Sequence, residues 1–132
     1  MSDIIAYIGT YTRDGSEGIY IHRYDAETGQ LSPVGSAGSE NPSFLAIHPT
    51  GRFLYAVNEI SEFNGEKAGA ISAFSISDET SELSFINQQS TGGPGPCHLN
   101  IDATGQAWWS SARASWESAR PFGFSAPVFA SP

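Results

Sequence analysis

Cysteine is nearly absent from this chain of 132 residues: Cys97 stands alone. That excludes an intramolecular disulfide and any zinc site built on several cysteines. Long apolar runs are missing as well. No stretch approaches the roughly 20 apolar residues of a membrane-spanning helix, so no membrane partner is expected. The opening MSDIIAYIGTYTRDG has no basic stretch followed by a long apolar core. It therefore does not read as a secretory signal, and a cytoplasmic location is the expectation. Basic residues are scarce, 6 against 14 acidic ones, for a net charge of −8. Proteins that coat nucleic acid depend on Lys and Arg against phosphates, so nucleic acid is not an expected partner. Residues 1–106 also lack any helical period sustained over about 11 residues, which argues against a helical bundle and against a parallel sheet with crossover helices.

What is present is turn chemistry and short β-rich runs, with 14 Gly and 8 Pro cutting the chain into pieces. Runs rich in Ile, Val, Tyr and Phe predict strands near 4–9, 18–24, 31–35, 43–48, 52–58, 69–76, 83–89 and 97–102. Thr28-Gly29, Pro49-Thr50-Gly51 and Ala103-Thr104-Gly105 supply the polar and glycine positions that hairpins need. The chain also repeats itself. Pro42-Ser43-Phe44-Leu45-Ala46-Ile47-His48-Pro49-Thr50-Gly51 aligns with Pro96-Cys97-His98-Leu99-Asn100-Ile101-Asp102-Ala103-Thr104-Gly105 at an offset of 54, identical at five of ten positions. A second echo pairs Glu27-Thr28 and Leu31-Ser32 with Glu79-Thr80 and Leu83-Ser84 at an offset of 52. Four strands in a period of about 50 residues is the signature of a β-propeller blade.

The segments YIGTYT, ENPSFLAIHPTGRFLYAVNE, GAISAFSI and GGPGPCHLNIDATG resemble the seven-bladed propeller lactonases. That family includes cycloisomerase-type 6-phosphogluconolactonases and is related to carboxymuconate-lactonizing enzymes. The resemblance covers residues 4–106, about a third of a full propeller, since seven blades at this period need roughly 350 residues. It implies an all-β, incomplete propeller of about two four-stranded antiparallel blades. The first strands, IIAYIG, GIYIHRY and LSPVG, then read as the second to fourth strands of a blade.

A blade is an up-and-down meander, so its connections alternate between the two faces of the disc. Asn41-Pro42 and Gly95-Pro96 lead into innermost strands, and the connections Gly9 to Glu17 and Asn58 to Ala68 lie on the same face. Ser43, Asn58, Glu59, Cys97 and His98 are therefore expected near one mouth of the channel. His98 suits proton transfer near neutral pH, and the resemblance supports that role because PCH at an inner-strand start belongs to its pattern. A core or rim histidine bonded to backbone is the alternative. Glu59 is the partner candidate, orienting His98 or taking a proton from water; a solvated carboxylate is the alternative. Cys97 reads as packing. Lactone hydrolysis needs an activated water and donors for the oxyanion. Ser43 and Asn58 are candidates for substrate binding, and Arg13 and Lys67, in loops on that face, for a substrate phosphate. No metal constellation and no cofactor motif appear.

The last 26 residues differ in character. They hold all three Trp and 12 Ala or Ser, but only one Gly, with a net charge of +1 against −9 for residues 1–106. Residues 1–106 are thus expected to form N-terminal blades, and 107–132 a divergent tail, helical or disordered. A helix over 107–119 would place Trp109, Ala112, Trp116 and Ala119 on one face, and Arg113 falls at the repeat position of Glu59. A frame shift near codon 106, truncating a longer lactonase, would produce such a tail; a divergent genuine end is the alternative. The functional expectation is a fragment of a lactone hydrolase resembling 6-phosphogluconolactonase, with a small lactone as substrate. A carboxymuconate cyclase-like lactonizing enzyme, a non-catalytic propeller module and an inactive truncated product are the alternatives. At this length the chain is expected to lack activity alone and to self-associate through exposed blade faces.

Overall fold

The structure, a computed structural model, describes residues 4–105, 107–111 and 122–124. Its strands are β1 (Ile4–Ile8), β2 (Gly18–Tyr24), β3 (Leu31–Gly38), β4 (Phe44–Ile47), β5 (Phe53–Asn58), β6 (Ala70–Ile76), β7 (Leu83–Ser90), β8 (Pro96–Ile101), β9 (Ala107–Ser111) and β10 (Phe122–Phe124). They form three antiparallel sheets: β1-β2-β3, β4-β5-β6-β7 and β8-β9-β10. The middle sheet is a complete four-stranded meander, and the first lacks an innermost strand, as the sequence predicts. All eight expected strands are present, each within a few residues of its expected bounds. The largest difference is β3, which runs on through Ser36, Ala37 and Gly38 to pair with Tyr20, Ile19 and Gly18. Small residues carry little strand preference of their own, so only the pairing reveals them.

The offset of 52 reappears as geometry. Between β2 and β3 the register slips at Ile21/His22, leaving Val34 unpaired; between β6 and β7 it slips at Ala73/Phe74, leaving Ile86 unpaired. Val34 and Ile86 are 52 residues apart. Each extra residue is a bulge, which increases local twist. Pro33, which has no N–H for a ladder, is accommodated beside the first bulge, on the outermost strand.

The sheets stack face to face through two cores. Ile19 and Ala37 of the first sheet meet Leu54, Ala56 and Phe74 of the second, with Tyr7, Leu45 and Leu83 around them. Tyr55, Val57, Ile71 and Ala73, on the opposite face of the second sheet, meet Leu99 and Ala107 of the third. The middle sheet is therefore apolar on both faces, and its strands β5 and β6 are buried almost throughout. Sequence alternation is weak there for that reason.

Two expectations are corrected. Residues 107–111, expected to begin a helix over 107–119, are strand β9, hydrogen-bonded to β8. The free edge of β8 and the β preference of tryptophan outweigh the alanines and serines around it. The rest of that proposed helix lies outside the described residues. The hairpin before β9 is also one residue shorter than its counterpart: Ile47 pairs with Leu54, whereas Ile101 pairs with Ala107. Phe44 pairs with Val57 and His98 with Ser110, so Ser111 rather than Ala112 corresponds to Asn58. Arg113, the expected counterpart of Glu59, lies outside the described residues.

Candidate functional site

The site is built where the β1–β2 loop of the first sheet meets the end of β5 in the second. Asn41 makes the joint. Its Oδ1 accepts from the Thr12 backbone N–H at 2.9 Å and from the Thr12 hydroxyl at 3.0 Å. Its own Nδ2 donates to the Glu59 carbonyl at 3.3 Å, and its carbonyl accepts from Glu59 N–H at 3.1 Å. Asn41 holds a φ of +43°, a left-handed conformation that asparagine tolerates better than most side chains. Glu59 is thereby fixed in backbone to the segment that carries Tyr11 and Thr12.

Its side chain is fixed too. Glu59 Oε2 accepts one hydrogen bond from the Tyr11 phenol at 2.8 Å and another from the Ser43 hydroxyl at 2.6 Å. Among the described residues Oε1 takes no hydrogen bond, which leaves it as the open acceptor of the cluster. The Tyr11 phenol is pushed above its ordinary value, first by the hydrogen bond to Glu59, then by partial desolvation and by the Glu59 charge; the Ser43 hydroxyl and the Arg13 guanidinium act in the opposite sense. Arg13, in the 3-10 turn Arg13–Gly15, is exposed yet within electrostatic reach of the cluster. Lys67 is exposed in the β5–β6 loop and makes no hydrogen bond or ion pair among the described residues.

His98 lies in β8, exposed, with its ring tilted against Phe44 at a centroid distance of 4.7 Å. Phe44 and His98 are equivalent positions of the 54-residue repeat, so the contact joins the inner strands of successive blades. Ser43, directly before Phe44, links this ring pair to Glu59. His98 makes no side-chain hydrogen bond to Glu59; the two are connected through Phe44 and Ser43. Cys97 is half-buried at the register slip between Pro96 and His98.

Asn58 sits elsewhere than expected for a substrate ligand. It is 0 % exposed. Its Nδ2 donates to Ser39 Oγ at 2.9 Å and to the Glu40 carbonyl at 2.6 Å, while its Oδ1 accepts from Ser72 Oγ at 2.6 Å and Gln88 Nε2 at 3.0 Å. A primary amide offers two donors and two acceptor positions, and here all four are taken within the protein. Asn58 anchors the 39–41 segment and has nothing left for a substrate.

Tyr11, Thr12 and Asn41 are the site residues that the reading of single positions overlooked. YIGTYT was visible as a motif and Asn41-Pro42 as a strand entrance, but Tyr11 and Glu59 are 48 residues apart. Only the stacking of one blade on the next brings them together. Among the described residues no group of three His, Cys, Asp or Glu is placed to hold a metal ion, and no helix is long and apolar enough to cross a membrane.

A family model for seven-bladed β-propeller lactonases matches residues 5–113. The 6-phosphogluconolactonase of Bacillus subtilis is 36 % identical over 107 residues, covering 80 % of this chain and 29 % of that protein. The 6-phosphogluconolactonase of Formosa agariphila is 32 % identical over 102 residues, covering 76 % of this chain and 28 % of that protein. Among solved structures, the periplasmic gluconolactonase of Pseudomonas aeruginosa superposes with a TM-score of 0.73 at 27 % identity, over 85 % of this chain and 32 % of its own. The chain thus spans about 30 % of the length of the relatives it matches.

Proposed function

Because the chain belongs to the seven-bladed β-propeller lactonase family, we propose that its blades form part of a lactone hydrolase acting on a sugar lactone, 6-phosphogluconolactone above all. The observation that carries this reading is Glu59, whose Oε2 is held by two hydroxyls while Oε1 stays open. In the proposed reaction Oε1 accepts a proton from water as the water oxygen bonds to the lactone carbonyl carbon. The carbonyl electrons move to oxygen, return as the ring C–O bond breaks, and the departing ring oxygen takes a proton supplied through His98. One water is consumed and a hydroxy acid results. Arg13 and Lys67 are the cations this chain offers to a substrate phosphate, as charge-assisted donors. A phosphorylated sugar does not cross membranes unaided, which supports the reading of a cytoplasmic enzyme of the pentose phosphate pathway.

The test is a hybrid in which residues 4–111 replace the matching segment of the Bacillus subtilis relative. The hybrid is expected to hydrolyse 6-phosphogluconolactone above the spontaneous rate, and E59Q or H98A to lower kcat by roughly 10² or more. Turnover near that of the parent hybrid in both variants removes the two residues from the mechanism.

A second reading, a propeller module that binds rather than turns over, draws on the exposed apolar side chains. Ile4, Ile8 and Tyr24 share the face of the first sheet that points away from the second, and all are exposed. In that reading the chain associates with copies of itself. Sedimentation velocity over a range of concentrations separates a monomer from such assemblies.

A further inference from the structure

The first sheet contributes to a site whose acid group belongs to the second. Tyr11 is 51 % exposed, so its phenol is not held by burial; its placement comes from Glu59 and from the neighbouring Thr12, which is bonded to Asn41. Ser43, which enters β4, supplies the other donor. Two hydroxyls on one carboxylate oxygen restrict rotation of the carboxyl group and leave a single oxygen to act. We propose that Tyr11 is a positioning residue for Glu59, reaching across the blade joint to lock Oε2 so that Oε1 alone faces the proton of an incoming water. This rests on the reading of Glu59 as the base.

The electrostatics around Tyr11 support the arrangement with definite signs. The carboxylate of Glu59 raises the phenol, while Ser43 and Arg13 lower it. Asp14, Glu40 and the other charged groups of these loops do not enter that balance. A loop held in place only by backbone packing gives no such pattern, because its phenol responds to none of the three side chains.

The decisive measurement is a 13Cζ-tyrosine NMR titration of the full 132-residue chain, with Tyr11 assigned from Y11F. Tyr11 is expected to titrate above an ordinary tyrosine. E59Q is expected to bring it down, and S43A and R13M each to move it further up. A Tyr11 that titrates as a free phenol and ignores E59Q overturns the proposal. In the hybrid enzyme, Y11F is expected to lower kcat by up to about 10² with KM unchanged, as a misplaced catalytic group does. Loss confined to KM, with kcat intact, also overturns it. The two readings fail separately: an E59Q hybrid with normal turnover removes Glu59 as the base, whereas a normal phenol titration removes Tyr11 as its support.

Discussion

Asn58 and Glu59 are adjacent, yet one is sealed in the protein and the other is only half-buried. Strand alternation separates them: Asn58 ends β5 and turns into the stack, where Ser72 and Gln88 from the same sheet wait for its carbonyl oxygen. Topology could place both residues at one face of the disc, and did. It could not tell which side chain points inward, because β5 is apolar on both faces and gives no polar side to count from. Replacing Asn58 by Ala strands the Glu40 carbonyl and two hydroxyls; chemical denaturation of the chain should show a loss of about 3 kcal/mol. Buried Tyr55 and half-buried Tyr7 set a second expectation. Burial raises Tyr55, and it raises Tyr7 against the opposing Ser81 side-chain hydroxyl. A folded pKa above the unfolded value of 10.0 means a contribution fully present below pH 10 and lost as pH rises through the folded value. Stability is therefore expected to fall above pH ~10, and Y7F/Y55F to flatten that fall in denaturant midpoints measured from pH 9 upward.

Strand positions were legible because turn residues punctuate the chain and because β-branched and aromatic residues cluster between them. The outer ends of strands were less so: Ser36 to Gly38 joins β3 through hydrogen bonds rather than through any preference of its own. β9 was misread for a related reason, since the pairing edge of β8 decides a segment whose local composition is ambiguous. The joints between sheets depend on backbone approach that composition does not announce. Gly69 is one: a Cβ there would lie 2.1 Å from Pro96 Cδ and 2.9 Å from the Asn58 carbonyl oxygen. G69A is expected to push β8 away from β6 and cost about 1–3 kcal/mol, since a core that is already filled resists added atoms. At Gly105, φ is +85° and a Cβ would meet His48 Nε2 at 2.4 Å. Its turn faces the turn of the preceding repeat, so G105A should destabilise as well, whereas G105A with H48A should recover the steric part and keep the backbone strain. Thermal melts of the two variants measure the difference.

Across the described molecule, each blade is thin and each joint is broad. A sheet of three or four strands has little core of its own, and both cores lie between sheets rather than within one. Stability is thus shared between neighbours, as in other repeat architectures. The face of the first sheet bearing Ile4, Ile8 and Tyr24 offers apolar area to any comparable surface. The 132-residue chain is expected to sediment as concentration-dependent assemblies, and I4T/I8T to shift them toward monomer. A monomer at all concentrations removes the self-association reading. The repeat that made the architecture readable also explains what stayed hidden: periodicity reports what successive blades have in common, whereas the candidate site joins Tyr11 of one blade to Glu59 of the next.

The 48 residues between Tyr11 and Glu59 have a meaning for synthesis. Chains leave the ribosome from the N-terminus and fold largely in that order. The β1–β2 hairpin, with Tyr11, Thr12 and their loop, is outside before Glu59 is made. The Asn41 segment and β5 follow, and the core that holds the first sheet is completed only when they pack on it. The contact between Tyr11 and Glu59 is therefore expected to close together with the joint between the two sheets rather than before it.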